Sequence, residues 1–143
     1  MSPAMSLRAT FCDDVRQEVG NKLSYLGVYG GNLVVPAFPT NLVKLCCIFS
    51  LHVPSQSPPK SVTFKLLRDE EVIFEADLPS EHIKSLETLA GNGRDTRVLT
   101  MGTIAQFVSF PITHACALKA RAIVDGEEIR GGGLDLQEAE AKH

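Results

Sequence analysis

The chain has little of what marks a nucleic-acid or membrane protein. Its 14 basic residues do not outnumber its 17 acidic ones, the formal charge is −3, and Lys and Arg are scattered singly. A phosphate-tracking surface needs a basic surplus or stripe, and a lipid-binding patch needs clustered Lys and Arg. The expectation is therefore no nucleic acid and no membrane among its partners. No apolar run approaches the roughly 20 residues of a spanning helix. Met1 to Thr10 carries no apolar stretch of the kind a secretory leader has. Both observations lead to an expected cytoplasmic location.

Catalytic and cofactor motifs are also missing. There is no Gly-x-Ser-x-Gly elbow. His52, His82, His114 and His143 form no His-x-His or His-Glu-x-x-His spacing, and a transition-metal site would need ligands converging from several strands. Gly-x-Gly occurs at Gly91-Asn92-Gly93 and within Gly131-Gly132-Gly133. Neither follows a strand and opens a helix, as a phosphate cradle requires. The glycine triplet reads instead as a bulge or a bend between sheets. His114 and Cys116 would share one side of a strand about 7 Å apart. Cys116, however, lies in an alanine-rich run rather than the electropositive, open setting a thiolate nucleophile needs.

The four cysteines include no Cys-x-x-Cys. Cys12, Cys46, Cys47 and Cys116 each fall in a strand-like run. Cys46 and Cys47 are adjacent, so they face opposite ways and cannot pair with each other without breaking the ladder. They are expected to be free thiols that pack as small hydrophobes. Acidic turns at Asp13-Asp14, at Asp69-Glu70-Glu71 and at Asp125 with Glu127-Glu128 would suit Ca²⁺ if they converged. Local backbone bonding accounts for Asp in turns without any metal. The expectation is no catalytic residue, no cofactor and no metal.

What the chain does have is alternation. Val43, Leu45, Cys47, Phe49, Leu51 and Val53 fall on one parity. The same period of two returns in Val62, Phe64 and Leu66, in Val72, Phe74, Ala76 and Leu78, and in Cys116, Leu118, Ala120, Ala122 and Val124. A period of two marks strands with one face in a core. Leu7–Asp13 and Lys22–Tyr29 read as further strands, with the polar Val15–Gly20 between them. Leu33–Val35 is a short apolar piece, followed by an extended Pro36–Pro39. Asp69-Glu70 and Asp125-Gly126 are hairpin turns. Pro79 to Gly91 is the one helical candidate, with Ile83, Leu86, Leu89 and Ala90 on one face and Ser80 as cap. Gly91-Asn92-Gly93 reads as a flexible tip. Arg97–Phe110 is long and apolar, with a bulge or break expected near Gly102 and an end at Pro111.

With 143 residues, 44% of them hydrophobic and 22% charged, this is a normal complement for one soluble domain. The expected architecture is all-β: a two-sheet sandwich, immunoglobulin-like or C2-like, of about eight strands with one short helix. The domain would occupy residues 1–136, and 137–143 would be a frayed polar tail.

The segments Ala9–Val15, Gly20–Tyr29 and Val34–Pro39 resemble the opening of a family of small bacterial or phage-borne domains to which no activity is assigned. In that family such a strand pair precedes an all-β body. The resemblance implies a bacterial or phage-borne source and an all-β fold, and it carries over no site residue.

The function expected from these readings is a non-enzymatic interaction module, whose partner is another protein or a second copy of itself. A ligand-binding or enzymatic sandwich, and a phage or defence-associated assembly component, are the alternatives. Leu33, Val34, Val35 and Phe38 are more apolar than a solvated loop should be. They read either as a flap over the core or as a partner surface. Titrating thiols in the unfolded, unreduced protein should return four; two or fewer would reveal a disulfide.

Overall fold

The computed structural model describes residues 5–90 and 98–140, the side chains of 87–90 excepted. Arg97, His143 and the Gly91-Asn92-Gly93 tip lie outside the described residues, as do the side chains of Leu89 and Ala90.

The central alternating run becomes β4 (Thr40–Pro54), which organises the rest. It pairs antiparallel on one side with β1 (Ser6–Glu18) and on the other with β7 (Val98–Ile112). β2 (Lys22–Val28) joins β1 to complete a four-stranded sheet A, in the order β2-β1-β4-β7. The second sheet, B, holds β3 (Asn32–Val35), β9 (Glu127–Glu138), β8 (Cys116–Val124), β5 (Val62–Arg68) and β6 (Glu71–Asp77), in that spatial order. The two sheets enclose one core, so the protein is an all-β sandwich. Leu45, Cys47, Phe49, Leu51 and Val53 face that core from β4, and Val62, Phe64, Leu66, Leu118, Ala120 and Ala122 meet them from sheet B. The Phe49 ring lies 5.4 Å from Phe64 and 5.9 Å from Phe74, tying β4 to β5 and β6.

Both expected hairpins are present. Asp125 (φ 48°) and Gly126 (φ 87°) form the two-residue turn between Val124 and Glu127, the left-handed pair that matches strand twist. Asp69 (φ 54°) opens the turn between Arg68 and Glu71. The helix α1 (Ser80–Ala90) follows β6 and sends Ile83 into the core, with Leu86 packed against it.

Several expectations need correction. The short apolar piece Leu33–Val35 is itself a strand, Asn32–Val35, parallel to β9, and it is the ninth in a sandwich expected to hold about eight. That pairing also extends the domain: Val34 and Val35 pair with Gln137 and Glu138, and the Ala139 N–H donates to the Val35 carbonyl. Gln137 and Glu138 are thus strand residues and not a frayed tail. The polar Val15–Gly20 segment is mostly strand, since β1 runs to Glu18, opposite Lys22. Pro36–Pro39 is a series of bends. The triplet Gly131-Gly132-Gly133 does hold a bulge, the register shifting opposite Ala120, but β9 runs through it unbroken. Pro111 lies inside β7; on an edge strand a missing N–H is tolerated. No bulge occurs at Gly102, which stays in register with Ser50. Glycine is needed there because a Cβ would stand 1.9 Å from the Phe49 carbonyl oxygen.

The alternation instead breaks at Val43. In β4 the inward residues Leu42 and Leu45 are three apart, and in β7 so are Phe107 and Phe110. Val43 therefore points out, 84% exposed. The flanking pairs Leu42–Phe110 and Lys44–Val108 keep one register, and Ser109 adopts φ 62°. Both strands step over one residue together, so the faces swap and the ladder continues. The same device recurs at Asp13 and Gly27 (φ 67°), between the pairs Cys12–Val28 and Asp14–Leu26. Beyond it the β1–β2 hairpin curls over the outer face of sheet A. Val15 there packs on Cys12, Cys46 and Ile48 in a second small cluster, with Ile104 beside them.

Phe49 is 1% exposed and touches rings on both neighbouring strands of sheet B. Phe49→Ala should cost roughly 3–5 kcal/mol in equilibrium urea unfolding. A loss below about 1 kcal/mol would remove it from the core.

Candidate functional site

A sandwich leaves strand edges with unpaired N–H and C=O groups, and natural proteins blunt them with charge, shortness or proline. β6 carries Glu71, Glu75 and Asp77 along its length. β3 is only 4 residues long. β2 begins with Lys22 and belongs to the curled hairpin. β7 is different: it is an edge strand of 15 residues, VLTMGTIAQFVSFPI, without one charged side chain. Among the described residues no backbone bond reaches its outer edge. Val98 (43% exposed) and Val108 (76%) lie near its two ends. The Ser109 kink and Pro111 blunt only the C-terminal end.

An open groove of about 410 Å³ runs along the outer face beside this strand, lined by Leu23, Tyr25, Ile48, Gly102, Thr103 and Ile104. It exists because the β1–β2 hairpin curls over β4 without reaching β7.

The apolar stretch singled out from sequence does not form one surface. Leu33 and Val35 are each 4% exposed and belong to the core, and Phe38 packs against it half-buried. Of the four, only Val34 faces outward, at 59%. Leu33, Val34 and Val35 belong to strand β3, paired with β9, and the Phe38 N–H donates to Glu138 Oε2 at 2.6 Å.

The acidic turns do local work. Asp69 Oδ1 accepts from the Ala117 N–H, and Asp125 Oδ1 accepts from the Lys60 and Ser61 N–H groups. These two turns stand at opposite ends of the β5–β8 ladder, next to the pairs Arg68–Leu118 and Val62–Val124. They do not converge. Among the described residues, no group of three His, Cys, Asp or Glu side chains is placed to hold a metal ion. His114 lies outside β8 and shares a 2.9 Å hydrogen bond with Thr113 Oγ1; its Nε2 is 4.0 Å from Asp69. His52 Nδ1 shares a 3.0 Å bond with Thr100 Oγ1 across the β4–β7 ladder.

The charged contacts at the Asp13 kink were not visible in the sequence. Lys44 Nζ donates to Asp14 Oδ1 at 2.6 Å. That bond holds the Asp14 carboxyl below the usual carboxylate range and the Lys44 ammonium above the usual lysine value. The Tyr29 hydroxyl donates to Asp13 Oδ1. Burial, then that bond, pushes the Tyr29 phenol up to about 12. Cys12 stands directly opposite Cys46 across β1 and β4. All four cysteines are free thiols, and burial raises each of them, which leaves little thiolate for chemistry. No helix among the described residues is long and apolar enough to cross a membrane.

No protein-family model matches the chain, and no curated protein matches it in sequence.

Tyr25 and Tyr29 are the two tyrosines of the chain, so Tyr25→Phe isolates Tyr29. Its 295 nm absorbance titration should show a midpoint of about 12, and Asp13→Asn should lower it. Because the fold favours the neutral phenol, this stabilisation is complete below the ordinary tyrosine value and is lost as pH rises through Tyr29's own. A Tyr29 midpoint near an ordinary ~10 would contradict the contact.

Proposed function

We propose that this protein is a non-enzymatic interaction module that takes up an extended strand along the free edge of β7. The observation that carries the reading is the 15-residue edge strand with no charged side chain. An uncharged edge of that length is a template for strand addition: main-chain bonds supply the affinity, and alternate side chains supply the selectivity. The other sheet edges support the reading by contrast, being short, charged or curled away. A cytoplasmic setting belongs to the same proposal, supported by four free thiols in strands.

A second reading places a small apolar ligand in the groove of Leu23, Tyr25 and Ile104. Tyr25→Ala would abolish it and leave strand addition intact.

Displayed peptides of about ten extended residues, long enough to cover most of β7, test the proposal. Selected binders should slow amide exchange in β7, and methylating their backbone nitrogens should abolish binding. Binders that protect other strands and leave β7 unchanged would overturn it.

A further inference from the structure

We infer that Cys12 and Cys46 are the two halves of a reversible disulfide, formed when the β1–β2 hairpin lifts off them and admits a small-molecule disulfide such as oxidised glutathione. In the antiparallel ladder of β1 and β4 the two cysteines are direct partners. Such partners stand about 4.5–5.5 Å apart at Cα, within the roughly 4.4–6.8 Å that a disulfide spans. Both sulfurs point to the same spot. Cys12 Sγ donates to the Asp14 carbonyl at 3.3 Å, and Cys46 Sγ donates to the Asp13 carbonyl at 3.9 Å. Both side chains lie in one small cluster on the outer side of sheet A. Cys47 turns the other way, into the main core, and Cys116 stands in sheet B. The folded chain therefore offers one pairing among its four thiols.

Both cysteines are fully buried, so an oxidant meets them only when their cover moves. The cover is the hairpin beyond the Asp13 kink, which lays Val15 on them. The pair Cys12–Cys46 is also the last of the β1–β4 ladder. The hairpin can thus lift without breaking any β1–β4 pair. A 2.6 Å bond from Lys44 to Asp14 ties it to β4. Burial raises the Cys46 thiol, while the Lys44 charge pulls it the other way. Lifting the hairpin removes the burial and parts Lys44 from Asp14, which leaves the ammonium to favour a Cys46 thiolate.

That thiolate attacks one sulfur of the small disulfide. A mixed disulfide forms at Cys46 and one small thiolate leaves. The Cys12 thiolate, its ladder partner, then attacks Cys46 Sγ and expels the second small thiolate. The two cysteines give up two protons and two electrons, and the small disulfide takes them up as two thiols. Excess small thiol runs the exchange backwards. The new bond closes a loop of about 34 residues and fixes β1 to β4 where the hairpin hinges.

Incubating the folded, reduced protein with oxidised glutathione should lower its thiol count from four to two, and peptide mapping should find Cys12 joined to Cys46. The product should melt cooperatively, several degrees above the reduced chain. Dithiothreitol should restore all four thiols. Val15→Ala thins the cover and leaves both sulfurs in place, so it should speed the cross-link several-fold.

Four thiols persisting under conditions that oxidise the urea-unfolded chain would overturn the pair. Cross-links spread over other cysteines, or a glutathione adduct on Cys116 alone, would overturn it too. A Val15→Ala rate equal to that of the wild type would overturn the hairpin as its gate.

Discussion

The structure depends on β4 being paired along its length with β7 and, around Cys46 and Ile48, covered on both faces. Its ladder with β7 runs in one register from Thr40–Ile112 to Pro54–Val98, and β1 takes the other side from Cys46 to His52. Its inner side chains fill the core, and Cys46 and Ile48 on the outer side are buried under the curled β1–β2 hairpin. From Cys46 to His52, where it is paired on both sides, β4 can leave none of its backbone groups unpaired without a large desolvation cost. The neighbours of β4 are therefore fixed, and β7, with one side committed to β4, keeps the other side open. The free edge of β7 and the core are two consequences of one ladder.

The two paired kinks explain how that ladder coexists with a curled hairpin. An extra residue in one strand alone would shift the register and turn part of the core outward. Extra residues facing each other, at Val43 and Ser109 and again at Asp13 and Gly27, swap faces without a slip. The first pair leaves Val43 and Val108 outside. The second lets Val15 fold back over Cys12 and Cys46, and its neighbours Asp14 and Tyr29 are held by Lys44 and Asp13. Polar contacts cluster at this kink because the chain turns there and its hydrophobic faces change sides.

Much of the fold could be read from local pattern. The period of two in Leu45–Val53, Val62–Leu66 and Leu118–Val124, the Asp125-Gly126 and Asp69-Glu70 turns, and the start of α1 at Ser80 all depend on residues close in sequence. What could not be read depends on partners far away. Val43 looked inward because its parity matched Leu45, and only Ser109 opposite reveals the step. Leu33 and Val35 could be read as flap or as partner surface, with the flap favoured, since burial there depends on β9, about a hundred residues later. Cys12 and Cys46 become neighbours only through the β1–β4 register. Arg97–Phe110 was visibly long and apolar, but a central strand reads the same way; only the strand order makes it an edge.

Native-state hydrogen exchange resolved by residue tests the role of β4 most directly. If the ladder is the constraint on which the rest depends, amides from Cys46 to Leu51 should exchange only through global unfolding. The amides of the curled hairpin from Val15 to Tyr25 should open at lower free energy. Exchange of the β4 amides in a partial opening that leaves sheet B protected would contradict this account.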